Sequence, residues 1–348
     1  MVVNKGDMLK GFENLKVGWV LSMDRSNAAS RIQGHLVHEW LVSEGVDSVI
    51  LTEFFQTISS PFDLRFIKAA IGMRRGGFTH IVFESPEWAA CQLSIIWKLL
   101  GGISICVRCD NVKGQYDHYF DKTILPTETL ADALHIKRRD IISDCVETPS
   151  DVHKRSYQVS TKKVQVVWVG HHSYESYITE LVDSLGEDCF VKDNFEFVLI
   201  SKGEFADHQW SELTVHQNIL NCDIAFLPIP SGDWFVGKSS NRLAMMMTLG
   251  MPTIASPIPS YSEIGVNGRN VIFFKSRAEI LEAFGLLLNS KYRERIGVTA
   301  KFDLGDRFSF SKIGPQWLCS IVDTIDSIKY MPPFPLKVKF YVGFLRLF

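Results

Sequence analysis

The chain of 348 residues carries 37 Lys and Arg against 39 Asp and Glu, a net charge of -2, so no global attraction draws it to nucleic acid or an anionic membrane and any basic site must be local. Its 46% hydrophobic and 22% charged content belongs to a globular protein, and the length favours two domains of about 150 residues each. Seven cysteines, of which only Cys106 and Cys109 have a C-x-x-C spacing, give no disulfide framework and favour reduced thiols in a cytosolic protein.

In chain order, the first fifteen or so residues are polar and read as a frayed end. No basic region leads into an apolar stretch of the kind a secretory signal needs, and no run reaches the roughly 20 apolar residues of a membrane span. Val17 to Leu21 reads as a strand, followed by a loop rich in Ser, Asn and Ala from which Ser30 can cap a helix running from Arg31 toward Ser43. Gly45 ends that helix, and Asp47 to Leu51 gives a second strand. This β-loop-α-β order opens a parallel, doubly wound sheet. It lacks G-x-G-x-x-G, so a nicotinamide cofactor on the first loop loses support. His80 to Phe83 and Ile103 to Val107 are further strands, with a helix from Pro86 to about Leu100 between them. Ligands of open α/β sheets lie beyond the carboxyl ends of the strands, so Glu84, Arg108 and Asp110 point toward one edge.

The second half begins near Lys162. Val164 to Val169 is a strand ending in Gly170, His171 and His172, and a helix from Glu175 to Leu185 follows. Strands over Phe195 to Ser201 and Asp223 to Leu227 come next, with a loop from Pro228 to Phe235 that holds Asp233 and Trp234. Then comes GKSSNRLAMMMTLGMPTIASPIPSYSEIGVNGRN, Gly237 to Asn270. Its first turn is polar and basic, Lys238 and Arg242 being four apart and so on one helix face; the apolar segment Leu243 to Leu249 stops at Gly250, and Pro252 to Ala255 is a buried strand. A helix N-terminus offers unpaired N-H groups and a positive dipole end, so a phosphate there would meet those donors together with Lys238, Ser239, Asn241 and Arg242. The methionines at 245 to 247 are core. Ala278 to Leu288 reads as a helix, and Phe308 to about Ile328 as a last one, with Ile313, Trp317, Ile321 and Ile325 on a stripe.

At Gly250, Pro252, Ile254, Ala255, Ser256, Glu263, Ile264, Asn267 and Gly268 the sequence resembles the C-terminal domain of a GT-B glycosyltransferase of the family 4 type, which carries a Gly-x-Pro-x-Ile-Ala-Ser strand, then Glu-Ile and an Asn-Gly turn. Gly237 and Met245 stand where many members place two glutamates; some polysaccharide-building members carry a Lys-x-x-Asn-Arg variant like Lys238 to Arg242. Lys122 to Ala133 looks like the family's strand, Ser/Thr and short helix. The resemblance implies an α/β fold of two Rossmann-like, doubly wound domains facing across a cleft: residues 1–150 for the acceptor, 151–305 for the donor, and 306–348 as a helix crossing back to the first domain plus a basic and apolar tail.

By the same resemblance the protein is a transferase moving a sugar from a nucleotide-diphosphate donor to a saccharide or lipid-linked acceptor, with retention. The loop Gly170, His171, His172 would approach the donor pyrophosphate, Lys238, Ser239, Asn241 and Arg242 would hold it, and Glu263 would hydrogen-bond the transferred sugar. Asp110 is a candidate general base for the acceptor hydroxyl. No Asp-x-Asp pair sits at a strand end, so neither a metal nor a cofactor is needed beside the donor substrate. The implied setting is polysaccharide or lipopolysaccharide assembly in the cytoplasm, and the tail LKVKFYVGFLRLF has a composition suited to peripheral membrane contact. The alternatives are a GT-B epimerase or hydrolase using Glu84, Asp110 and His172, and a non-catalytic GT-B partner of another transferase.

Overall fold

A computed structural model of the protein describes residues 14–52, 64–85, 87–109, 116–149, 151–230, 232, 235 and 237–323. The chain divides into two compact units, one running to Asp144 and taken up again at Phe310, the other spanning Cys145–Ser309. Each is built on a six-stranded parallel sheet.

The first sheet consists of β1 (Lys16–Val20), β2 (Asp47–Thr52), β3 (His80–Glu84), β4 (Ile103–Val107), β5 (Lys122–Leu125) and β6 (Arg139–Ile141), in the order β2-β1-β3-β4-β5-β6. Its central strands are buried almost throughout, as a sheet covered on both faces requires. Helices Leu64–Arg75 and Trp88–Leu99 cover one face, where Phe66, Ala70, Leu93 and Trp97 meet Ile81, Phe83 and Cys106. After β1 the chain departs from the expected start of the next helix. Asn27 is the cap, its Oδ1 accepting from the N-H groups of Ala29 (2.9 Å) and Ser30 (3.3 Å), and a π-helical turn over Arg31–His35 leads into Leu36–Ser43. Ser30 is released from capping because its hydroxyl donates to Glu84 (2.6 Å).

Helix Phe310–Asp323 packs within this first unit. Ile313, Trp317 and Ile321 are buried, with the Trp317 ring centre 6.2 Å from that of Trp19. Ser320 Oγ donates to Asp140 (2.6 Å), and a side chain at Gly314 would run into the Trp40 indole. Ile325 and the tail from 332 to 348 lie outside the described residues. No described helix is long and apolar enough to cross a membrane.

The second sheet contains β7 (Val164–Val169), β8 (Phe195–Ser201), β9 (His208–Gln209), β10 (Ile224–Leu227), β11 (Thr253–Ala255) and β12 (Ile272–Phe273), ordered β12-β11-β10-β7-β8-β9. Counted from β7, this is the 3-2-1-4-5-6 order of dinucleotide-binding sheets, with its reversal between β7 and β10. Helix Asn241–Thr248 buries Leu243, Ala244, Met246 and Met247 against one face. It stops in a Schellman arrangement: Gly250 takes φ +69°, its N-H donates to Met247 (3.0 Å), and the Met251 N-H donates to Met246 (2.9 Å). Helix Ser290–Leu304 also packs on that face, although its sequence is charged nearly all round. Its Arg293 is buried and spends its guanidinium on the carbonyls of Tyr157, Leu287 and Leu288.

Candidate functional site

In a parallel sheet the helix that follows a strand starts at that strand's carboxyl end, so the loops after β7, β10 and β11 share one edge of the second unit. The strand order reverses between β7 and β10, which opens a crevice where ligands of such sheets bind. Gly170, His171 and His172 follow β7; Lys238 to Arg242 follow β10; Ser256 and Glu263 follow β11.

Gly170 contributes space. Its N-H is taken by the Ile200 carbonyl (3.2 Å), and a Cβ at this position would fall inside the Trp168 indole. The backbone donor expected here is therefore spent on the sheet. His171 caps the short turn His172–Tyr174, its Nδ1 accepting from the Ser173 N-H (3.3 Å) and lying 2.9 Å from the Ser173 hydroxyl. The exposed rings of His171 and His172 stack with centres 4.0 Å apart.

Lys238 precedes the helix instead of lying in its first turn. The helix starts at Asn241 with Ser240 as cap, because the Lys238 N-H closes a turn onto Phe235 (3.2 Å). Lys238 and Arg242 consequently do not share a helix face. Lys238 is 9% exposed, with its Nζ 5.1 Å from the Tyr174 ring centre and 5.8 Å from that of Phe235. An ammonium over two aromatic faces is attracted by their ring quadrupoles. Tyr174 ends the turn that follows β7, so Lys238 joins the two loops flanking the reversal.

The N-terminus of the same helix is open in the way an anion site needs. Ser240 makes no side-chain cap bond, and the Ser239 hydroxyl accepts only at 3.5 Å, from the Asn241 N-H. Arg242, half-buried on this first turn, has no hydrogen bond or ion pair with another described residue. The helix start's N-H groups, its dipole end and the cations Lys238 and Arg242 together form an anion-attracting place on this edge. Asn241 has a holding duty: its Nδ2 donates to the Cys145 carbonyl (2.9 Å). After β11, Ser256 Oγ accepts from the Ile229 N-H (2.9 Å) and pins the β10 loop. Glu263 closes the short helix Pro259–Ser262 and is exposed, its carboxylate unbonded to any described residue.

Sequence reasoning missed the supports of this edge. Glu175 is 3% exposed and accepts from the Ser201 hydroxyl and from the N-H groups of Gly203 (3.1 Å) and Phe205 (3.3 Å), which fixes the loop after β8 against the start of helix Glu175–Gly186. A Cβ on Gly203 would collide with that carboxylate. The Glu175–Gly203 pair is separated by 28 residues, with β8 between them, so only the fold reveals it. Tyr174 and Phe235, the seat of Lys238, look like ordinary core aromatics in the sequence.

In the first unit, the β1/β3 neighbours mark a second strand-order reversal. There the Glu84 carboxyl accepts from the Ser22 N-H (3.0 Å) and the Ser30 hydroxyl (2.6 Å). Burial pushes its pKa up, and those hydrogen bonds oppose the shift. Arg108 is buried and forked onto Asp117 by Nε and Nη2 (2.8 and 2.9 Å). Asp110, Asp233 and Trp234 lie outside the described residues. Among the described residues no group of three or more His, Cys, Asp and Glu is placed to hold a metal ion.

No protein-family model matches the sequence, and no curated protein matches it. Solved structures do match its fold. TarM superposes with a TM-score of 0.56 at 12% identity over 72% of this chain; the chain spans 57% of that protein's length. A mutant of S. aureus TarM has been solved in complex with fondaparinux, alpha-GlcNAc-glycerol and UDP. Sucrose-phosphate synthase from Thermosynechococcus elongatus gives 0.64 at 10% identity over 87% of this chain and 97% of that one. Anabaena HepE in complex with UDP and glucose gives 0.61 at 11% identity over 90% and 99%. At these identities the likeness is one of architecture, and it is consistent throughout: the chain has the two-sheet GT-B fold of these glycosyltransferases.

Proposed function

We propose that the protein is a nucleotide-sugar-dependent glycosyltransferase, with the donor diphosphate bound at the β7/β10 reversal of the second unit. The observation that carries this reading is the seating of Lys238 over Tyr174, beside an uncapped helix start that carries Arg242. Charge developing on the departing diphosphate would be stabilised by Lys238, Arg242 and the first N-H groups of helix Asn241–Thr248, donors set in place before the reaction starts. That assignment uses the chain's own cations and asks for no metal. His171 and His172, exposed beside the Lys238 seat, would supply further donors to the phosphates, and Glu263 would hydrogen-bond the sugar.

The acceptor is proposed to be a saccharide or lipid-linked saccharide on the first unit, with Asp110 as its base and retention of anomeric configuration, both by the family resemblance. Support for a uridine-type donor comes from HepE, solved with UDP and glucose, as an analogy of fold. By the family resemblance, not by this likeness, the reaction is proposed to belong to polysaccharide or lipopolysaccharide assembly in the cytoplasm.

Isothermal titration with UDP, ADP, GDP and CDP, paired with a donor-hydrolysis screen, tests the reading. At least one diphosphate should bind, and Lys238→Ala and Arg242→Ala should each weaken it by about tenfold or more, as loss of a charge-assisted phosphate contact does. Binding that neither substitution alters would refute the site.

A further inference from the structure

The chain passes from the first unit to the second between Asp144 and Cys145. Its backbone is tied down closely on both sides of that point. The Ile142 N-H donates to the Leu125 carbonyl of β5 (2.9 Å), and the Val146 N-H donates to the Phe308 carbonyl of the second unit (2.9 Å). Between these two bonds lie Ser143, Asp144 and Cys145, a short strap.

Two side-chain amides grip the strap, one from each unit. Gln33 Nε2 donates to the Asp144 carboxylate (2.7 Å), and Asn241 Nδ2 donates to the Cys145 carbonyl (2.9 Å). Each amide stands on the segment after a strand that borders a reversal. Gln33 belongs to the π-helical turn Arg31–His35 after β1, beside β3, and Asn241 opens the helix after β10, beside β7. Such π-turns recur at functional sites. Gln33 is 4% exposed, and because a carboxylate only accepts, its amide nitrogen has to face Asp144. That leaves Oε1 buried with no described partner. A buried acceptor left unpaired works against stability, so packing alone does not account for a glutamine at this position; the bond to Asp144 does.

We propose that Gln33 and Asn241 are paired positioning residues: they clamp successive residues of the strap, so that a diphosphate on the start of helix Asn241–Thr248 is felt at the π-turn after β1. The clamp stands on the two hydrogen bonds; its response to a diphosphate rests on the donor-site reading. The first N-H groups of that helix include the one of Asn241, so an anion drawn to them acts on the residue that holds Cys145.

Hydrogen exchange on the full chain tests both parts. In the ligand-free protein, exchange of the Val146 N-H should quicken in Gln33→Leu and in Asn241→Ala, and the two effects should not add in the double variant. Additive effects, or a rate that neither substitution moves, overturn the clamp. With whichever of UDP, ADP, GDP and CDP binds, at saturation, the amides of Arg31–His35 in the wild type should exchange about fivefold or more slowly, the lower end of coupling between two sites. In Gln33→Leu that slowing should vanish while the slowing at Asn241 to Leu243 remains, a separation that a merely structural glutamine does not produce. Slowing at Arg31–His35 that survives Gln33→Leu, or that is missing from a wild type with diphosphate bound, overturns the transmission. A wild type that binds none of the four refutes the donor site, and the ligand-free comparison then decides the clamp by itself.

Discussion

Lys238 holds its ammonium 5.1 Å from the centre of the Tyr174 ring, and that contact ties the loop after β7 to the loop after β10. If the ring positions the cation, its face matters and its hydroxyl does not. Tyr174→Phe should then bind a nucleoside diphosphate as the wild type does. Tyr174→Ala should lose between about twofold and thirtyfold, the range of a cation-π contact worth about 0.5–2 kcal/mol. Titration calorimetry reads both, and an equal loss in the two variants would show that the ring face plays no part.

Gly170 makes room for the Trp168 indole at the end of β7. An alanine methyl would enter the Trp168 indole, which is 2% exposed and has nowhere to go. Gly170→Ala should destabilise the protein by about 1–3 kcal/mol, the usual cost of overpacking. Trp168→Phe removes the part of the ring that the methyl would strike, so the double variant should be more stable than the two single losses added together. Urea unfolding of the four proteins gives the coupling, and additivity would mean that the clash is relieved elsewhere.

Much of this edge was legible in the sequence because it follows local rules. The apolar run of β7 and the stop at Gly250 each depend on residues within a few positions of one another. What escaped depends on distant partners. Ser30 looks like a helix cap until Glu84 claims its hydroxyl; Lys238 looks helical until the turn onto Phe235 shifts the start by three residues. Helix Ser290–Leu304 shows little apolar stripe, since a buried Arg293 satisfied by three carbonyls takes a place usually given to an apolar side chain.

Glu175 should prove one of the costliest residues of the second unit to remove. Its carboxylate serves the N-H groups of Gly203 and Phe205 and the Ser201 hydroxyl inside the fold. Glu175→Ala removes the acceptor of the buried Ser201 hydroxyl and of the Phe205 N-H and leaves the Gly203 N-H only Ser201 Oγ (3.0 Å), at about 1–3 kcal/mol for a buried group left unsatisfied. The expected result is a loss of several degrees in the thermal midpoint and faster hydrogen exchange at Gly203 and Phe205. Unchanged exchange at those two amides would mean that the loop is held by something other than this carboxylate.

His80 sets a pH dependence whose sign is fixed by its surroundings. It opens β3, is 2% exposed, and has Nδ1 2.9 Å from the Thr79 hydroxyl while Nε2 is buried without a described partner. Burial lowers its pKa from 6.5 to about 4, against the pull of Asp121, whose charge is already shared with Lys98. An unfolded chain therefore takes up the proton first as the solution is acidified. The stability tied to neutral His80 is complete above pH 6.5 and is lost as the pH falls toward 4, by about 3 kcal/mol in all at about 1.4 kcal/mol per unit. His38 and His216, also lowered mainly by burial, act with the same sign. In His80→Phe the fall in urea-unfolding stability between pH 7 and pH 5 should shrink without vanishing. Parallel pH profiles for wild type and variant would place the acid sensitivity in other groups.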